Sequence, residues 1–170
     1  PITDQSIASL AAADDGSIYG GTSIGGGGGA TPTQKEAVLF HFDTTTQKVL
    51  SQMAPVEDAG SITDLIMTAD NKLIGFAGDT LFVYDPKTQQ VIHREKVSMG
   101  NLIYNSVVFG SDHQIYGLSS QGIFSINPVT YAVKLIAKSP EPITSGGALI
   151  GDQFYFGCLG TIYRYKLPTQ

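Results

Sequence analysis

Asp70-Asn71-Lys72-Leu73-Ile74-Gly75, followed by Thr80-Leu81-Phe82-Val83-Tyr84-Asp85-Pro86, decides the fold. A polar Asp-Asn turn leads into a short apolar strand with glycine at the sixth place, a hairpin signal between apolar runs. Gly78-Asp79 makes the next turn. The second apolar run stops at Asp85-Pro86, because Asp favours a turn and Pro cannot donate to a sheet ladder.

Both phrases recur. The first returns as Asp15-Gly16-Ser17-Ile18-Tyr19-Gly20, Asp112-His113-Gln114-Ile115-Tyr116-Gly117 and Asp152-Gln153-Phe154-Tyr155-Phe156-Gly157. The second returns as Val38-Leu39-Phe40-His41-Phe42-Asp43, Gly122-Ile123-Phe124-Ser125-Ile126-Asn127-Pro128 and Thr161-Ile162-Tyr163-Arg164-Tyr165-Lys166-Leu167-Pro168. Successive first-phrase aspartates lie 55, 42 and 40 residues apart. A period near 40 built only of β-type units predicts an all-β fold of the β-propeller type with four repeats. It also predicts that Gly20, Gly75, Gly117 and Gly157 sit at equivalent positions.

The unit from Ser61 to Ser98 reads as four strands. Leu81-Phe82-Val83-Tyr84 is apolar on both faces, as a strand packed between neighbouring blades requires. The last strand, Val91 to Val97, carries Arg94, Glu95 and Lys96 and faces solvent. Gly75 and its equivalents are expected to remove a side chain where blades crowd together. The chain reads as one propeller segment over residues 1–170, with blades at about 7–54, 61–97, 103–138 and 144–168. The fourth blade stops after its third strand. The chain starts at Pro1, so a removed leader or a longer parent chain is expected. Part of a larger propeller, or half of one completed by a second copy, follows. Open flanks at Ile7-Ala8-Ser9-Leu10 and Ile162-Tyr163 would then expose apolar strands.

Composition narrows the partners. Charged residues are only 15% and the net charge is −5, without the basic cluster that a phosphate backbone needs, which argues against nucleic acid. No apolar run approaches the roughly 20 residues of a bilayer span. The single cysteine, Cys158, reads as a buried thiol. Lack of an N-glycosylation sequon leaves the compartment open, a secreted or cell-envelope location being favoured.

Asp15-Gly16-Ser17-Ile18-Tyr19-Gly20-Gly21-Thr22 and Leu81-Phe82-Val83-Tyr84-Asp85-Pro86-Lys87-Thr88 resemble the broad bacterial propeller class of quinoprotein-like, NHL-like and SMP-30-like blades. The resemblance covers the whole chain and specifies a blade, not an activity. The lack of tryptophan argues against WD40 repeats and Trp-docked quinoproteins, and the Kelch pattern is missing. An SMP-30-like lactonase would hold a metal with Glu, Asn and Asp. Asp64 and Asn105 fit near such a mouth, with no glutamate at a matching strand start.

Local chemical signals are sparse. Gly21-Thr22-Ser23-Ile24-Gly25 matches a nucleophile elbow, but glycines rather than a helix follow it. Gly25 to Ala30 matches G-x-G-x-x-A without a βαβ unit. His41, His93 and His113 do not cluster, and no metal or cofactor set is expected. Thr33-Gln34-Lys35-Glu36 matches a capping box but runs into Val38-Leu39-Phe40, so at most a turn is expected. The first unit exceeds the others by about 13 residues between Thr22 and Ala37, and departures from a repeat commonly map to a binding face. Thr22, Ser23, Lys35 and Glu36 of this loop, with Asp64, Tyr104, Asn105 and Thr144 near the starts of first strands, form the candidate ligand site. Tyr104 could stack on a sugar ring or pack between blades. Two functions stay open: a noncatalytic module binding a carbohydrate or protein, and a propeller lyase, lactonase or hydrolase with catalytic groups on further blades.

Overall fold

The computed structural model describes residues 2, 4–25 and 31–168. Among these residues the regular structure is entirely β, with no helix. The chain divides into two compact units, Pro1–Lys96 and Val97–Gln170.

In the first unit, β1 (Ser6–Ala12), β2 (Ile18–Ser23), β3 (Leu39–Asp43) and β4 (Lys48–Met53) form one antiparallel sheet in sequence order. A second such sheet contains β5 (Ile62–Met67), β6 (Leu73–Ala77), β7 (Thr80–Asp85) and β8 (Gln90–Lys96). Ala11, Tyr19 and Leu39 of the first sheet share a core with Leu65, Leu73, Phe82 and Tyr84 of the second. Every residue of β6 is buried, whereas β8 alternates between exposed and half-buried. That is the gradient expected from a strand closed in on both faces to one at the rim.

The second unit holds β9 (Val108–Phe109), β10 (Ile115–Ser119), β11 (Gly122–Ile126) and β12 (Val133–Lys138) in one sheet. The other sheet has three strands, β13 (Ser145–Ile150), β14 (Gln153–Cys158) and β15 (Thr161–Lys166). Tyr116, Leu118 and Ile123 pack with Phe154, Phe156 and Cys158 between the two sheets. β9 is short because the Ser106 hydroxyl stands in for a ladder partner. It accepts from Leu118 N at 3.1 Å and donates to Leu118 O at 3.4 Å.

The repeating aspartates are turn formers. Residues 13–17, 68–72 and 110–114 close with the same backbone pattern: Ala13 N donates to Ser17 O, Thr68 N to Lys72 O and Gly110 N to Gln114 O. The fourth residue of each turn has positive φ: Gly16 at 84°, Asn71 at 58° and His113 at 62°. His113 therefore serves the turn conformation. Asp43 accepts from Thr45 N and Thr46 N, Asp85 from Lys87 N, and Asn127 from Val129 N and Thr130 N. These local bonds mimic a backbone turn, which is why a short polar residue ends each strand.

The glycine expectation needs two corrections. A Cβ on Gly20 would lie 2.1 Å from the Phe40 ring, on Gly75 2.6 Å from the Phe82 ring, and on Gly117 2.3 Å from the Phe124 ring. Each ring belongs to the adjacent strand of the same sheet. The crowding is thus a ring laid over its own sheet, not an approach between blades. Gly157, moreover, is not equivalent to the other three. Aligned on the tight turns that follow, Cys158↔Thr161 matches Ala77↔Thr80 and Ser119↔Gly122. Phe156, not Gly157, then occupies the glycine position, and its ring stacks on Tyr163 at 6.0 Å. Room is found instead in β13, where a Cβ on Gly147 would meet the Phe154 ring at 2.2 Å. The slip arises in the preceding turn: residues 151–152 connect β13 to β14, against the five-residue connections of the other sheets.

Candidate functional site

In the first unit, the β2–β3 loop is laced to the connection between the two sheets. Ile24 N donates to Gly60 O at 3.0 Å, Ala37 N to Ala59 O at 2.7 Å, and Asp58 N to the Glu36 carboxylate at 3.0 Å. Ser23 and Ser61 form an isolated bridge. The long loop and the start of β5 therefore meet at one end of this unit. Residues 26–30, which hold most of the glycine run and of the G-x-G-x-x-A match, lie outside the described residues.

The candidate residues of this unit differ in what they can reach. Thr22 is fully buried, and its hydroxyl accepts from Val38 N at 2.7 Å and also bonds Gln5, so it ties β2 to the strand beside it. Asp64 is 2% exposed, just past a bulge in β5, and so lies within the sheet. Ser23 is half-buried and accepts from Gly25 N at 3.2 Å, with no helix following it in the described residues, so the elbow geometry is not formed. Lys35 is exposed and Glu36 half-buried. Together with Gln5, Gln34 and Gln52 they line a depression of about 440 Å³.

The second unit brings two candidates together. Tyr104 and Thr144 line a depression of about 400 Å³ with Leu102, Ile103, Ser145 and Gly146. Tyr104 is 48% exposed. Thr144 is also exposed, and its hydroxyl accepts from Leu159 N at 3.1 Å, which fixes it against the β14–β15 turn. Asn105 follows with φ of 53°, turning the chain between the Tyr104 ring and the buried Ser106. One phenol ring and two hydroxyl-bearing residues thus line the same depression as Gly146.

A third cavity, of about 520 Å³, was not singled out from the sequence. It lies at the turn end of the first unit and is lined by Asp15, Tyr19, His41, Lys72, Asp85 and Lys87, among others. The His41 ring stacks on Tyr19 at 4.4 Å and 8°, the internal packing the sequence suggested. Its Nε2 is buried without a hydrogen-bond partner. Burial pushes the Tyr19 hydroxyl up to about 12. Hydrogen bonds from Ser17 hold Asp15 below the ordinary carboxylate value, and Asp85 pairs with Lys72 at 3.7 Å. The signal for this cavity was the recurrence of acidic turns at one end of the sheets, which reads first as turn chemistry. Cys158, in the second unit, is buried beside Ser139 and the Glu141 carbonyl.

Among the described residues no group of three or more His, Cys, Asp or Glu is placed to hold a metal, and no helix is long and apolar enough to cross a membrane. No family profile and no curated protein matches the chain in sequence. Solved structures do match. The WD40 repeats of RRP9 superpose with a TM-score of 0.70 at 15% identity, over 99% of this chain and 50% of theirs. The U3-55K structure gives 0.72 at 15% identity, over 99% of this chain and 51% of that one. The extracellular domain of BT4673 from B. thetaiotaomicron gives 0.67 at 18% identity, over 97% of this chain and 22% of that one. The fold class is therefore β-propeller, and the chain spans about half of the first two neighbours and less of the third. At such identity the likeness carries the fold alone, and the propeller fold arises here without any tryptophan.

Proposed function

We propose that the chain is a noncatalytic recognition and scaffold module, a set of blades from a larger bacterial propeller protein of NHL-like or SMP-30-like repeat type, and that it binds a carbohydrate. The observation that carries this reading is the Tyr104 depression. An exposed phenol beside the hydroxyls of Thr144 and Ser145 offers an apolar face and polar edges together, the chemistry that a sugar ring presents in return. The amide-rich depression at Lys35 and Glu36 supplies hydrogen-bonding groups of the same character in the other unit.

Amide NMR titration with soluble β-linked oligosaccharides tests it. Shifts should gather at Tyr104, Thr144 and Ser145, and Tyr104→Ala should weaken binding roughly tenfold while Tyr104→Phe keeps most of it. No shifts at millimolar sugar, or binding indifferent to Tyr104→Ala, overturns the reading.

A further inference from the structure

The 520 Å³ cavity of the first unit stands where the repeat departs from its own pattern. Asp15 and Tyr19 match Asp112 and Tyr116 of the second unit in spacing. There the pair is closed, the Tyr116 hydroxyl donating to the Asp112 carboxylate at 2.6 Å. In the first unit a serine, Ser17, takes the place of Gln114 between them. Ser17 donates twice to Asp15, from its amide at 2.9 Å and from its hydroxyl at 2.6 Å. The Tyr19 hydroxyl is left without a hydrogen-bond partner among the described residues, although Tyr19 is only 5% exposed. Tyr19 lines the cavity, so what it still exposes opens there. A buried polar group without a partner costs free energy. Its retention beside an open cavity points to a partner from outside the chain.

Charge decides the class of that partner. Asp14, Asp15, Asp70 and Asp85 line the cavity against Lys72 and Lys87. Asp85 already holds Lys72 at 3.7 Å and accepts from Lys87 N at 2.9 Å. Asp70 accepts from the Thr68 hydroxyl at 2.6 Å. This bond and those from Ser17 fall on Oδ1, so Oδ2 of Asp15 and of Asp70 keeps its acceptor capacity. The lining therefore favours a cation. Among the described residues no three such groups are placed to hold a metal ion, so the cation has to span them. A guanidinium does so: it is planar, always charged, and carries five N–H donors in a fork that matches carboxylates.

We propose that this cavity binds a guanidinium group, carried by a free small molecule or by an arginine side chain of a partner polypeptide, with the carboxylates of Asp14, Asp15 and Asp70 and the Tyr19 oxygen as acceptors. The site belongs to the first unit and the Tyr104 depression to the second, so this proposal and the sugar-binding reading fail separately.

Amide NMR titration at low salt with N-acetyl-arginine amide, against the neutral N-acetyl-citrulline amide of the same shape, tests it. Shifts should gather at residues 13–19 and 70–72 and saturate, with the citrulline compound about tenfold weaker or more. Free arginine is the second arm. If it binds tighter than the blocked amide, the source is a small molecule; if weaker, a polypeptide side chain; either order supports the site. Asp14→Asn combined with Asp70→Asn should weaken binding about tenfold, and Tyr19→Phe about threefold. Glu57→Gln, at an exposed acid outside the cavity, should change nothing, which separates the site from general attraction to a chain of net charge −5. The comparison of the two compounds on the unaltered chain decides even if a variant folds poorly. Equal binding of the two compounds, no saturable binding, or a loss at Glu57→Gln as large as that of the double variant overturns the proposal.

Discussion

The β5–β8 sheet and the β13–β15 sheet are the same hairpin series in two states of enclosure. In the former, β6 is buried along its whole length and β7 is open only at its two ends. In the latter, β14 alternates between buried and half-buried, and no residue of β15 is fully buried. Sequence follows enclosure. Leu81-Phe82-Val83-Tyr84 is continuously apolar because all four of its side chains are buried and its outer edge pairs with β8. Ile162-Tyr163-Arg164-Tyr165 interleaves a charge because only one face, that of Phe154, Phe156 and Cys158, packs against a neighbouring sheet. Each blade thus records in its own residues how many of its sides are met within the described chain.

The sharpest way to break this contrast is to delete equivalent volume from both sheets. Leu81, the counterpart of Ile162, is fully buried, and Leu81→Ala should cost about 2–5 kcal/mol through lost burial and the cavity left behind. Ile162 is 79% exposed, and Ile162→Ala should stay within about 0.5 kcal/mol. Guanidinium unfolding followed by residue-resolved NMR keeps the two units apart. Comparable losses in the two variants would mean that β15 is covered in solution.

Next in size is the glycine pair. A methyl at Gly75 would meet the Phe82 ring at 2.6 Å and the Leu65 side chain at 2.7 Å, both inside a closed core. Gly75→Ala should therefore cost about 1–3 kcal/mol. At Gly157 the near contact is the Ser145 hydroxyl at 2.4 Å, with the next atoms at 3.8 Å. A serine at an exposed strand start can turn away, so Gly157→Ala should be neutral within about 0.5 kcal/mol. Equal costs in the same unfolding experiment would return Gly157 to the role of the other three glycines.

That pair also marks where the sequence could be read and where it could not. The order of strands, the turns and the three described strands of the last sheet followed from two phrases held in phase. The position of Gly157 did not. The first phrase is anchored on the aspartate before the strand, whereas the register is set by the tight turn after it. Gly75-Phe76-Ala77 leads into its turn, while Gly157-Cys158 is one residue shorter. The candidate site was legible as topology, since the long loop does meet the start of β5 and Tyr104 does meet Thr144. It was not legible as accessibility. Whether Thr22 faces a ligand or Val38, and whether Asp64 reaches a mouth or stays within its sheet, depends on a bulge and a side-chain bond that no spacing announces.

The smallest effect is a loss of stability at the two ends of the pH scale. On the acid side the two sheets should behave alike. Asp79 is held below its ordinary 3.8 by its bond with Lys96, and Asp152 by its bond from Gln153. A depressed carboxylate contributes stability above the unfolded pKa and loses it as pH falls through the folded one, so both sheets weaken below about pH 4. On the alkaline side the tyrosines of the β5–β8 core are raised, as is Tyr116 in the second unit, through burial and its bond to Asp112, so both units weaken there. Burial raises Tyr84 above 10.0, and Tyr19, whose ring lies 5.9 Å from it, rises to about 12. A hydroxyl kept protonated by folding contributes stability below the unfolded pKa, near 10, and loses it as pH climbs toward the folded value. Urea midpoints of the first unit should hold steady from pH 7 to about pH 10 and then decline toward pH 12. Tyr19→Phe and Tyr84→Phe should flatten that decline, because neither replacement has a proton to lose. An unchanged alkaline decline in both variants would trace it to other groups and detach it from the closed core around β6 and β7.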